Sequence, residues 1–188
     1  MIHDTKVLKS LILGAVLIFP ILIFLFLKKF GENKFEVPVY YEEGVVYEEG
    51  DCLPVTGKYV VPEILPGHSW EGVLTLICFR EEEWDRGGEE YKQLTRICDQ
   101  ISDRTVHFFR VAGKAHSPMQ CIRDIRADKT DIENWKKCGL VLKDDSQVVL
   151  VDEKGRVRGY YDLGDREEAD RLLVEVEIIG KNLTTHGE

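Results

Sequence analysis

From Leu11 to Leu27 the chain carries no charge and no strongly polar side chain. Such a run leaves the backbone few choices. In hydrocarbon every amide has to be paired within its own segment, and a continuous helix achieves that. At ~1.5 Å per residue the run covers roughly 26 Å, slightly less than a ~30 Å bilayer core. Lys9 on one side and Lys28 and Lys29 on the other reach towards the headgroups and make up the difference. Pro20 is tolerated in mid-span, with a kink. A cleaved signal peptide fits less well, because the run exceeds an ordinary apolar core and no small-x-small site follows it. A buried core helix also fits less well, because the run shows no amphipathic pattern. The expectation is one N-terminal transmembrane helix over 11–27, in contact with the lipid bilayer. Lys6 and Lys9 before it nearly balance Lys28, Lys29 and Lys34 after it, so charge alone does not orient the span.

The rest of the chain divides into a short flank (1–10), a tether (28–36) and one domain (37–188). About 150 residues suffice for a domain with its own core. A net charge of −9 offers no basic stripe to neutralise phosphates, which argues against nucleic acid as a partner. The five cysteines are Cys52, Cys78, Cys98, Cys121 and Cys138. An odd number without CxxC spacing reads as neither a disulfide framework nor a zinc site. Cys78 and Cys98 lie in apolar contexts and read as small core residues.

Hydrophobic patterning then orders the domain. Short extended pieces are expected at Val37–Tyr41, Gly44–Tyr47 and Lys58–Pro62. Val73–Phe79 is a continuous apolar run of strand length, which suits a strand covered on both faces. Between Asp85 and Ile101, apolar residues recur at spacings of three and four (Tyr91, Leu94, Ile97, Cys98, Ile101), as in an amphipathic helix. Thr105–Val111 is a second strand, making a βαβ unit with a right-handed crossover. A loop containing Gly113 and Pro118 follows. Thr130 and Glu133 have capping-box spacing and open a short helix through Trp135. Gln147–Asp152 and Arg156–Tyr161 flank a Glu153–Gly155 turn and form a β-hairpin. Asp165 caps a last helix bearing Leu172, Leu173, Val176 and Ile179 on one face. The order is α/β and thioredoxin-like: a central sheet with a βαβ unit, then a C-terminal hairpin and helix.

Two stretches carry a family resemblance. Val148-Val-Leu-Val-Asp-Glu-Lys-Gly-Arg-Val-Arg-Gly-Tyr-Tyr-Asp162, followed by Asp165-Arg-Glu-Glu-Ala-Asp-Arg-Leu-Leu173, resembles the C-terminal half of the Sco/SenC family. These are membrane-anchored thioredoxin-like proteins that deliver copper to cytochrome oxidase or act as thiol reductants. Lys28 to Tyr41, directly after the apolar run, is similar to the lead-in of family members from Bacteroidetes-type bacteria. The resemblance implies a single-pass protein of a bacterial inner membrane with its domain on the periplasmic side. It also implies envelope or cytochrome oxidase assembly proteins as partners.

The family's chemistry needs a CxxxC pair after the first core strand and a histidine shortly before the hairpin. Two thiolates and an imidazole suit copper, and the thiols support disulfide exchange. Aligned on the strand, the cysteine positions fall near Glu82 and Arg86, and the histidine position near Asp144. All three ligands are replaced. The leading expectation is therefore a non-catalytic accessory or binding module, with no catalytic residue, no cofactor site and no resident metal. The alternative is a divergent copper-handling or thiol-redox protein. It would use Cys78, or a loop that gathers His116, Met119 and Cys121, the residue types of soft copper sites. Each has a plainer explanation: Cys78 as a core residue, with acidic Glu81–Glu83 unhelpful to a thiolate, and His116–Cys121 as an ordinary polar loop. Trp84, in the acidic run before the helix, is either an exposed contact anchor or part of a helix start favoured by negative charge. His107 reads as a packed or edge histidine.

Overall fold

The computed structural model describes residues 9, 14, 16–26, 36–47, 52–80, 84–101, 105–114, 119–143 and 147–185. The chain forms two compact units, Met1–Glu36 and Val37–Glu188. In the first, residues 16–26 are helical and all their side chains are exposed. Among the described residues no helix is long and apolar enough to cross a membrane. Residues 11–13, 15 and 27 of the apolar run lie outside the described residues.

The second unit is built on a five-stranded sheet. Its strands are β3 (Leu74–Phe79), β4 (Val106–Ala112), β5 (Ile122–Arg126), β6 (Gln147–Val151) and β7 (Val157–Asp162). Their order is β5-β4-β3-β6-β7. A separate two-residue ribbon pairs β1 (Gly44–Val45) with β2 (Val55–Thr56). β3, β4 and β5 run parallel, and β6 and β7 are antiparallel. The helices are α1 (Glu89–Gln100), α2 (Lys129–Asn134) and α3 (Arg166–Thr185); a π-helical turn, Trp135–Gly139, continues α2. A parallel β3-α1-β4 unit joined to an antiparallel hairpin and a closing helix is the thioredoxin-like arrangement expected from the patterning.

All six residues of β3 are buried, which is what a strand covered on both faces requires. Alternation then sends Leu74, Leu76 and Cys78 to one core, with Phe108, Val148, Leu150 and Tyr161. α1 and α3 cover that face through Leu94, Ile97, Ala169, Leu172, Val176 and Ile179. Ile77 and Phe79 point to the other core, with Phe109, Val111, Val149, Val151 and Val157.

The lead-in covers this second face. Tyr59, Val61, Ile64 and Leu65 are buried there with Leu140 and Ile132. Val61 N–H donates to Gly155 O at 2.8 Å, and Tyr40 N–H to Val157 O at 2.9 Å. The hydroxyls of Tyr47 and Tyr59 donate to Cys138 O, and that of Tyr160 to Leu140 O, at 2.7–2.8 Å. A helix end leaves carbonyls without intrahelical partners, and these tyrosines satisfy those of the π-turn. Residues 37–47 and 52–66 are thus a structural layer of the domain.

Three expectations need correction. The segment after Gly113 read as a loop contains β5, a parallel edge strand. Its Ile-Arg-Asp-Ile-Arg order hides the strand because Ile122 packs on the α1 face and Ile125 on the other, with charged residues between them. The cap of α2 is Asp128, whose carboxylate accepts Asp131 N–H at 2.8 Å, rather than Thr130. The cysteines, read as no disulfide framework, form two disulfides: Cys52–Cys138 and Cys98–Cys121, with Cα separations of 5.4 and 5.6 Å. Cys98 is therefore cross-linked and half-buried rather than a simple core residue. Cys78 is free and buried, as read. Pairing across 86 and 23 residues is set by strand order, which local spacing cannot show.

The hairpin turn is organised by Asp152, which is fully buried. Its carboxylate accepts the backbone N–H of Lys154 and Arg156 at 3.0 Å, and the guanidinium groups of Arg156 and Arg158 at 2.9 and 3.1 Å. Burial pushes the carboxyl up, but hydrogen bonds from Arg156, Lys154 and Arg158 outweigh it and hold it below the ordinary range. A depressed carboxyl stabilises the fold above its unfolded value and loses that contribution as pH falls through the folded value. Asp152→Asn is expected to cost about 2–4 kcal/mol at pH 7. The cost should shrink once the pH drops below about 3.9. Urea unfolding of both proteins across that range measures it. The Cys52→Ser/Cys138→Ser variant is expected to lose about 2–4 kcal/mol of stability, since the bond closes a long loop. The same assay, followed by tryptophan fluorescence, reads this loss.

Candidate functional site

One row of side chains crosses the sheet on the α1 face. In register these are Tyr161, Val148, Cys78, Arg110 and Asp124, one from each strand. The row lies near the carboxyl ends of the parallel strands β3 and β4, beside the N-terminus of α1. In open α/β sheets this is the usual place for a site.

Arg110 is only 1% exposed. Asp124, its cross-strand neighbour, accepts Nε–H and Nη2–H, both at 2.8 Å. A second pair stands above it: Arg80 Nη1 donates to both Glu90 oxygens at 2.6 and 2.7 Å. Glu90 lies in the first turn of α1, where the helix dipole favours negative charge. The Trp84 ring lies near both guanidinium groups, 5.2 Å from Arg110 and 5.6 Å from Arg80, and its Nε1–H donates to Glu90 at 3.2 Å. Trp84 is half-buried, so the indole is one wall of this cluster and keeps an accessible face.

Beneath it, burial pushes the Cys78 thiol up to about 12, against a smaller opposing pull from Arg110. A thiol in that state is neither a nucleophile nor a ready metal ligand.

Of the positions that the resemblance assigns to copper ligands, Arg86 is exposed in the turn before α1, while Glu82 and Asp144 lie outside the described residues. A guanidinium has no lone pair to offer a metal, and carboxylates are hard donors. These residue types do not fit copper, and no chemistry is routed through them here.

The other predicted residues divide differently. His116 lies outside the described residues. Cys121 is bonded to Cys98, and Met119 Sδ lies 3.8 Å from Cys98 Sγ. The loop's sulfurs therefore meet a cysteine of α1, while Cys78 belongs to the Arg110 row. Among the described residues no group of three His, Cys, Asp or Glu side chains is placed to hold a metal.

His107 is packed, as expected, at the other end of the sheet. Its ring centroid lies 5.5 Å from that of His68, and His68 Nε2 is 2.9 Å from Thr75 Oγ1. Burial holds both imidazoles below the usual value, reinforced at His68 by His107 and Arg123, and at His107 by Arg123.

Sequence reasoning missed Arg110, Asp124, Arg80 and Glu90. The available signal was Arg110 itself, a charge inside the apolar strand Val106–Ala112. Such a charge demands a partner.

No family model matches the chain, and no curated protein matches it. Solved structures similar to it include BsSco, a member of the Sco family of cytochrome c oxidase assembly proteins. That likeness has 11% identity and a TM-score of 0.48, over 78% of this chain and 96% of that one. Yeast Sco1 is similar over 57% of this chain and 82% of its own, at 17% identity and a TM-score of 0.42. A putative protein disulfide isomerase from Bacteroides thetaiotaomicron is similar over 62% and 79%, at 13% identity and a TM-score of 0.42.

The state of Cys78 has a direct consequence. With its thiol near 12, roughly one molecule in ten thousand carries the thiolate at pH 8. Iodoacetamide is expected to leave Cys78 unmodified in the native protein at pH 8 and to alkylate it fully in urea, as counted by mass spectrometry.

Proposed function

We propose that this chain is a membrane-tethered, extracytoplasmic binding module of Sco-like thioredoxin fold. In this reading it has exchanged dithiol chemistry for a docking face. The carrying observation is the cluster of Arg80, Trp84, Glu90, Arg110 and Asp124 at the sheet end where the family's dithiol is expected. Its charges are mutually paired and its one nearby thiol is buried and protonated, so the cluster has nothing to donate to a redox or acyl-transfer step. An amphipathic indole flanked by guanidinium groups is, in contrast, a common anchor of protein interfaces. The partners fitting this reading are envelope proteins or proteins of cytochrome oxidase assembly, the process to which BsSco belongs.

Two features support the location. The 11–27 run has the composition of a single span of a bacterial inner membrane. Two disulfides in the following domain are the chemistry of an oxidising compartment, here the periplasm.

A second reading, a copper-handling or thiol-redox protein, has one observation in its favour: the approach of Met119 to the Cys98–Cys121 bond. Cys78 does not serve it.

Chromosomal alleles separate the two. In membranes from the source cells, the docking reading expects oxidase activity to survive Cys78→Ser and Cys98→Ser/Cys121→Ser, and to fall about tenfold or more with Trp84→Ala, in proportion to a central interface anchor. Activity unaffected by Trp84→Ala but abolished by the cysteine alleles would overturn it in favour of thiol or metal chemistry. Topology is read separately. A membrane-impermeant amine reagent should label Lys58 and Lys137 in intact spheroplasts; labelling only after lysis would place the domain in the cytoplasm.

A further inference from the structure

Three sulfur atoms meet at the far end of α1 from the docking face. Cys98 lies in the last turn of the helix, Cys121 directly precedes β5, and Met119 stands two residues earlier. The Cys98 and Cys121 Cα atoms are 5.6 Å apart, and Met119 Sδ is 3.8 Å from Cys98 Sγ. All three side chains are half-buried at the edge of the core, within reach of solvent. A metal–thiolate bond is roughly 2.3 Å long, so three sulfurs around a trigonal ion lie ~4 Å from one another. The Cys98–Met119 pair already has that spacing. The two cysteines are closer only because they are bonded, and a Cα separation of 5.6 Å lets their side chains part without moving the backbone. Two thiolates and a thioether are soft donors that favour Cu(I) over harder cations.

The geometry points to a redox-gated Cu(I) site made by Cys98, Met119 and Cys121, closed as a disulfide and open as a dithiol. This deepens the second reading above and is independent of the docking face. Opening takes two electrons from a dithiol donor of the same compartment. The donor's thiolate attacks one sulfur, the Cys98–Cys121 bond breaks and a mixed disulfide forms. The donor's second thiol then completes the exchange. The donor leaves as its own disulfide, and the chain holds two thiols. Cu(I) displaces both protons to solvent and stays monovalent, and Met119 adds the neutral third donor.

The test uses the full chain in detergent, without oxygen, with Cu(I) supplied as its bicinchoninate complex. The titration is run before and after treatment with a phosphine reductant that is then removed. The Cys52→Ser/Cys138→Ser variant is used so that only one pair responds. Oxidised protein is expected to bind no copper. Reduced protein is expected to take one Cu(I) per chain, with three sulfurs and no nitrogen or oxygen in the X-ray absorption shell. Met119→Leu should keep the stoichiometry, lower the affinity about tenfold and remove one sulfur from the shell. Further replacement of Cys98 and Cys121 by serine should abolish binding. Met119→Leu in the otherwise unaltered chain keeps both disulfides and serves if the first variant does not fold. The proposal is overturned if reduced protein binds no copper, if binding survives loss of Cys98 and Cys121, or if Met119→Leu changes neither affinity nor shell. Any of those results leaves the docking reading to stand or fall on the Trp84 alleles.

Discussion

A guanidinium buried to 1% exposure inside a sheet must be answered where it stands, and the Arg110–Asp124 pair is that answer. Taking two charges out of water costs several kcal/mol per ion, and only a well-aligned, bidentate pair recovers it. Here both contacts are 2.8 Å. The requirement propagates. Asp124 faces Arg110 only if β5 lies parallel to β4 in the observed register. A parallel neighbour obliges the chain leaving β4 at Ala112 to travel back along the sheet before β5 begins at Ile122. That return brings Cys121 and Met119 to the C-terminal end of α1, where Cys98 waits. On its other side Arg110 holds the Trp84 ring and lies over Cys78. One ion pair thus sets the edge of the sheet, the place of a disulfide and the character of the candidate site.

The second disulfide ties a different layer. Cys138 sits in the π-turn after α2, and Cys52 in the lead-in between β1 and β2. The tyrosine hydroxyls that meet Cys138 O and Leu140 O reach the same turn from the lead-in and from β7. The lead-in is therefore fastened by hydrogen bonds at several points and by one covalent bond. The burial of Tyr59, Val61, Ile64 and Leu65 adds to these fastenings against the entropy of ordering the segment. Bonds of this kind persist where the surroundings are oxidising. They are the chemistry on which the proposed extracytoplasmic location rests.

How much of this was legible depended on whether a signal was local. β3, α1, the hairpin and α3 follow from apolar runs, helical spacing and turn residues within a few positions; the structure has them within a residue or two, except that α1, expected from Asp85, begins four residues later at Glu89. β5 was invisible because Ile122-Arg-Asp-Ile-Arg126 sets its two isoleucines three apart, on opposite faces of the sheet, so no period of two shows. The disulfides were invisible because Cys98 and Cys121 are neighbours only through the register of β4 and β5. The acidic run Glu81–Asp85 read as favouring a helix start, yet nothing in it pointed to Glu90, which clasps Arg80 and Trp84. Arg110 was the one clue at hand. An arginine in the middle of Val-His-Phe-Phe-Arg-Val-Ala demands a buried acid, and Asp124 is the acid that strand pairing supplies.

α1 is the element common to both functional readings, and its geometry decides whether they compete. Glu90, in its first turn, belongs to the Trp84 cluster. Cys98, in its last, belongs to the sulfur cluster. Eight residues of helix separate them by ~12 Å along the axis. A protein seated on Trp84 does not reach the sulfurs through α1, and an ion held by the sulfurs does not perturb the Arg80–Glu90 pair by direct contact. The chemistry divides in the same way. The N-terminal end offers paired, hard, charged groups suited to recognition, and the C-terminal end offers soft donors whose availability depends on two electrons. The chain thus carries paired charges at one end of this helix and a disulfide pair at the other, with no steric reason for one to exclude the other.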